Sequence, residues 1–86
     1  MIRHIELGKS DFSRSKALKS LIEAGKIALG GNRKLKIYGT LRCASGKRMK
    51  VDNRVFFTDE QEAIEEGYRP CGHCMREVYQ KWKALN

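Results

Sequence analysis

Eighty-six residues with a net charge of +8 make one small domain, near the size at which an apolar core alone just suffices. No stretch approaches the roughly 20 apolar residues of a membrane span, and residues 1–7 are too few and too charged for a secretory h-region. The expectation is therefore a cytoplasmic chain with reduced thiols and no membrane partner. Residues 2–7 read as a short edge strand. Ser13 is placed to cap a helix running to about Ala24, with Ala17, Leu18, Leu21 and Ile22 as its apolar stripe and Gly25 as its stop. Ile27-Ala28-Leu29 and Leu35-Lys36-Ile37-Tyr38 read as two strands around a Gly30-Gly31-Asn32 turn. Residues 39–52 are polar and basic and suggest a loop, and Val55-Phe56-Phe57 is a third short strand.

Thr58-Asp59-Glu60-Gln61 has the spacing of a capping box and predicts a short helix over 59–66, stopped by Gly67. A last helix is expected over about 72–85. Its stripe, Met75, Val78, Tyr79 and Trp82, has i, i+3, i+4, i+7 spacing and reads as core packing rather than as a base-stacking platform. The fold class is α+β: a small antiparallel sheet with an N-terminal helix, a short capped helix and a C-terminal helix.

The chemistry-bearing residues are three cysteines. Cys71-Gly72-His73-Cys74 puts two thiolates on one tight turn, and Cys43 lies 28 residues upstream. An odd cysteine count argues against a closed disulfide framework, and C-x-x-C in a reducing compartment reads as metal or redox. Zinc is the expected metal, tetrahedral, with Cys43, Cys71 and Cys74 as three of its ligands. The fourth ligand is open between His73, His4, Asp52, Asp59 and water. A metal-free alternative has the three thiols packed as small apolar groups. Cys-Gly-His-Cys is also the dithiol turn of some disulfide isomerases, but that reading needs a strand leading into the motif, and Gly67 and Arg69-Pro70 stand there instead.

Charge is unevenly distributed. Residues 1–50 hold 13 Lys+Arg against 3 Asp+Glu, whereas residues 51–86 hold 5 against 7. A basic half of this kind suits nucleic-acid phosphate, DNA more than RNA, through Arg42, Lys47, Arg48 and Lys50. As an alternative these four side chains are a solvated loop that keeps the domain soluble. No basic recognition helix is evident, so nothing points to base-specific readout.

From Cys43 to Cys74 the chain resembles the zinc-binding domain of the Ada DNA-repair family. The matching residues are Cys43, Lys47-Arg48-Met49-Lys50, Asn53-Arg54-Val55-Phe56-Phe57, Glu62-Ala63-Ile64, Gly67-Tyr68-Arg69-Pro70-Cys71 and Cys74. The resemblance implies a single domain, with 37–86 as the Ada-like region and 1–36 as an N-terminal extension. It also implies zinc held by cysteines. In that family one of four cysteines takes a methyl group from a DNA phosphotriester, and that acceptor's position corresponds here to Gly39. Small modules with the same motif order also exist outside repair proteins. The reading is therefore a non-catalytic zinc module touching nucleic-acid phosphate. The alternatives are a structural or protein-interaction domain with a degenerate metal site, and a methyl acceptor in DNA repair.

Overall fold

The computed structural model describes residues 1–43 and 49–85. In chain order these form β1 (Ile2–Arg3), a 3-10 turn (His4–Leu7), α1 (Asp11–Glu23), β2 (Leu29–Asn32) and β3 (Ile37–Thr40). A second 3-10 turn (Val51–Asn53), β4 (Arg54–Phe57), α2 (Glu60–Glu65), β5 (Arg69–Pro70) and α3 (Arg76–Leu85) follow. The five strands make one sheet in the order β1-β4-β2-β3-β5. The α+β class and the three helices are as expected. The sheet is mixed rather than wholly antiparallel, because β5 pairs in parallel with β3 while the other pairs are antiparallel.

β4 carries the core. Val55, Phe56 and Phe57 are all fully buried, as a continuous apolar run requires when both faces of a strand are covered. On one face Val55 and Phe57 pack with Tyr38, Ala63 and Tyr68, and the Phe57 and Tyr68 rings meet edge to face at 4.9 Å. On the other face Phe56 meets the His4 ring at 5.4 Å, and the Arg54 guanidinium lies 5.1 Å above its centroid. Burial and then the nearby Arg54 charge lower the His4 pKa from its ordinary value. Tyr38 donates its hydroxyl to Glu60 Oε2 at 3.0 Å, and its pKa is pushed up to about 12, chiefly by burial and then by that carboxylate.

Gly30 and Gly31 do not form the turn. Both lie within β2 at the centre of the sheet, and the turn falls at 33–36. Asn32 Oδ1 accepts from the Lys34 and Leu35 amides, each at 3.0 Å, and Lys36 takes the left-handed φ of 58°. The two glycines serve space rather than conformation. A Cβ on Gly31 would stand 2.9 Å from Phe57 Cε2 and 3.0 Å from the Ile37 carbonyl oxygen, so only glycine lets the Phe57 ring lie across β2. Among the described residues the left-handed glycines are Gly25 and Gly67, at φ 73° and 85°, and they end α1 and α2 as the sequence predicts.

Caps and starts differ in register. α1 begins earlier than expected. Ser10 is its N-cap, and Ser13 sits at N3, returning its hydroxyl to the Ser10 amide in a reciprocal box. The α1 stripe is only half-buried, Ile22 is 40% exposed, and the helix rests on the first 3-10 turn rather than in the core. At α2 the cap is Asp59, whose Oδ1 accepts from the Glu62 amide at 2.9 Å, while Glu62 Oε1 takes the Thr58 amide at 2.7 Å. A carboxylate outdoes a hydroxyl there because it also meets the positive end of the helix dipole. Asp59→Ala should therefore cost about 1 kcal/mol in a urea melt, with Thr58→Ala near zero. Equal effects would return the cap to Thr58.

α3 starts at Arg76, four residues later than expected, because residues 71–75 wind around the sulfur of Cys71 instead of along a helix axis. Its stripe of Met75, Val78, Tyr79 and Trp82 is half-buried. Tyr79 and Trp82 stack at 5.9 Å, and Arg69 of β5 lies over both rings, so these aromatics pack the helix to the sheet edge.

Candidate metal centre

One non-local pairing and two tight turns bring the cysteines together. The parallel β5 strand continues the β3 pairing, and the Cys71 amide donates to the Tyr38 carbonyl at 2.8 Å. Pro70 is tolerated in this strand because β5 is an edge. The chain beyond β3 turns tightly, Cys43 N–H donating to the Thr40 carbonyl at 3.2 Å, and this folds the buried Cys43 back over the strand end. The Cys71–Cys74 turn is closed by Met75 N–H to the Cys71 carbonyl at 3.1 Å and is braced by the Tyr79 ring against Gly72.

The result is a cluster in which the sulfurs of Cys43, Cys71 and Cys74 all lie within 4.8 Å of one another. None of the three is in a disulfide. Zinc–thiolate bonds of about 2.3 Å in a tetrahedron require sulfurs about 3.8 Å apart, so small side-chain rotations close the cluster on one ion. Backbone amides serve two of the sulfurs: Thr40 N–H donates to Cys74 Sγ and His73 N–H to Cys71 Sγ, each at 3.4 Å. Such donors offset negative charge and orient the ligands. Burial pushes the Cys74 thiol above its ordinary pKa, with the Thr40 contacts pulling it down.

Among the described residues no fourth His, Cys, Asp or Glu joins the cluster. His73 is exposed and contributes only its amide, and His4 packs on Phe56. Asp59 caps α2, and Asp52 is exposed, its carbonyl taking Arg33. Residues 44–48 read Ala-Ser-Gly-Lys-Arg and contain none of these ligand types. A Cβ built on Gly39 would stand 2.7 Å from Cys74 Sγ and 3.2 Å from Cys71 Cβ. Position 39 therefore faces the sulfurs directly, and any side chain there would enter the site.

Of the basic residues singled out in the sequence, Arg42 and Lys50 are exposed, and Arg42 adjoins Cys43. Lys47 and Arg48 lie outside the described residues. Two contributors were not singled out for the site from the sequence. One is the Thr40 amide, whose role depends on the fold. The other is Arg54, half-buried beside the site, for which the only signal was its place in the Asn53-Arg54-Val55 motif.

A thiolate metal centre at the edge of a small mixed sheet defines a metal-binding domain of the cysteine type. Residues 22–77 match the family model "Metal binding domain of Ada", which covers well over half of the chain, and the chain belongs to that family. The matched region starts upstream of the residues that carry the visible resemblance and takes in β2. No match to the chain was found among curated proteins or solved structures. The donor set of three thiolates with two N–H···S bonds fits zinc, which would keep the thiolates deprotonated at neutral pH and add its binding free energy to folding. No described helix is long and apolar enough to cross a membrane.

Proposed function

We propose that this domain is a non-catalytic zinc module of a cytoplasmic protein, binding nucleic-acid phosphate through basic residues around the metal centre. The observation that carries the reading is the charge asymmetry. The half of the chain that contains Cys43 holds 13 Lys+Arg against 3 Asp+Glu, and the exposed Arg42 and Lys50 flank the segment with Lys47 and Arg48. Cys43, Cys71 and Cys74 hold the ion in this reading. In this reading the metal ties Cys43, at the start of the basic segment, to the Cys71–Cys74 turn, and the strand Arg54–Phe57 follows the segment. Phosphate contacts of this kind position a protein without reading sequence.

Gly39 supports the non-catalytic part of the reading. The residue that faces the sulfurs has no side chain and offers no further sulfur to receive a methyl group. Incubation with methylphosphotriester DNA should therefore leave the intact mass unchanged. A gain of one methyl group on any of the three cysteines would restore a repair role.

Titration of the zinc-loaded domain with a short duplex at several salt concentrations tests the binding. Replacing Lys47, Arg48 and Lys50 together by alanine should weaken every duplex by a similar factor and lower the salt slope by about one unit per lost phosphate contact. Full affinity and slope in the triple variant would remove this surface from the function. Tighter binding to RNA than to DNA of the same length would reverse the stated preference.

A further inference from the structure

The register of the sheet lays a trough beside the sulfurs. Gly39 of β3 stands opposite Gly30 of β2, and Gly30 stands opposite Phe56 of β4. Directly opposed residues share a face, so this row presents two adjacent positions without side chains. A Cβ on Gly30 would make only ordinary van der Waals contact, with Leu41 Cδ2 at 3.7 Å as its nearest neighbour, whereas one on Gly39 would meet the sulfurs. The resulting cavity is about 260 Å³, with Cys43 and Cys71 in its lining, Ile37, Leu41 and Met49 as apolar wall, and Arg54 as the one cationic side chain among its described lining residues. Among the described residues no carboxylate lies within ion-pair distance of Arg54. Its guanidinium is half-buried over Phe56 and carries its charge at all ordinary pH.

These features bear on the fourth coordination position. The chain supplies three thiolates, and no fourth His, Cys, Asp or Glu within reach. Water is the usual filler of such a position, but a buried water needs two to four polar partners, and an apolar wall offers few. A sulfur donor matches both the softness of the three thiolates and the wall. The half-buried cation without a carboxylate calls for an anionic group on the same molecule. A cavity just below the roughly 300–1,000 Å³ range of ligand sites suits a molecule of few heavy atoms.

We propose that the metal centre takes its fourth donor from outside the chain, as a small thiol carrying a carboxylate, with sulfur on the metal and the carboxylate toward Arg54. The proposal rests on the zinc-module reading and deepens it. Coordination breaks the S–H bond heterolytically: the proton leaves to buffer, the sulfur electron pair goes to the metal, and any water at that position departs. Nothing is oxidised or reduced.

The test uses the full chain loaded with Co(II) under anaerobic conditions, read by its visible ligand-field bands and its sulfur-to-cobalt charge-transfer absorption. Addition of 3-mercaptopropionate should raise the charge-transfer absorption in the proportion of four thiolates to three. It should bind more tightly than uncharged 2-mercaptoethanol, and cationic cysteamine should bind most weakly. Arg54→Gln should weaken 3-mercaptopropionate about tenfold, the loss of one charge-assisted hydrogen bond, and leave 2-mercaptoethanol unchanged. Propionate, which lacks the sulfur, should not change the spectrum. Stoichiometric cobalt uptake with a spectrum indifferent to all three thiols overturns this inference alone. Failure to take up cobalt at all overturns the metal reading beneath it. Equal affinity for the three thiols in the unsubstituted chain removes Arg54 from the site, even where the variant is too unstable to study.

Discussion

Cys71→Ser is expected to abolish stoichiometric zinc binding and to lower the melting temperature of the domain to that of the chelator-treated parent. Cys71 is the hinge of the site. Its amide extends the β3–β5 pairing, its carbonyl closes the turn that carries Cys74, and its sulfur completes the cluster with Cys43. The effect should be large because the apolar core is small. Neither α1 nor α3 contributes a fully buried residue, and Cys43 is itself one of the buried groups. Metal held at a thousand times its dissociation constant stabilises by about 4 kcal/mol, which in a domain of this size corresponds to roughly 15–30 °C. A calorimetric scan with and without chelator, on parent and variant, measures both effects. A parent indifferent to chelator would mean that the three thiols are packed groups and that the zinc reading is wrong.

Phe57→Ala should remove about 3–5 kcal/mol, as truncation of a fully buried aromatic does. Total stability for a chain of this length is about 4–13 kcal/mol, so the variant should lose a large share of it. Phe57 is fully buried, meets Tyr68 edge to face, and crosses the space that Gly31 leaves open. Its loss opens a cavity between the sheet and α2 that rigid strands on either side cannot collapse. Phe12 on α1, 79% exposed, is the natural control and should cost less than about 0.5 kcal/mol as alanine. A urea melt compares the two. A loss below about 1 kcal/mol for Phe57→Ala would place the core elsewhere.

The parts of this protein legible in its sequence are those governed by short-range chemistry. The spacing Cys71-x-x-Cys74 and the distant Cys43 marked a thiolate metal site, and the sulfurs do converge. The apolar run 55–57 marked a buried strand, and the helix stops at Gly25 and Gly67 follow from left-handed backbone that few other residues adopt. Cap positions were legible to within one to three residues. Ser10 competes with Ser13, and Asp59 with Thr58, and the selection depends on which side chain the folded backbone lets reach the N3 amide.

What the sequence by itself determined, then, is the ligand chemistry, the family motif and the basic half that faces a polyanion in our reading. The tertiary structure alone decided how the centre is closed and what lies beside it. Glycine carries no local sign of whether it serves conformation or space, so Gly30 and Gly31 read as a turn until their strand partners are known. Those partners, Gly39 and Phe56 for Gly30, are set by pairing across the sheet, at sequence separations that no local pattern records. The same holds for β5. A two-residue strand has no periodicity of its own, and only its pairing with β3 sets Cys71 against Gly39. The trough of paired glycines and the partly buried Arg54 that lines one cavity with Cys43 and Cys71 are products of that register. They depend on contacts between distant residues that form only when the chain has folded.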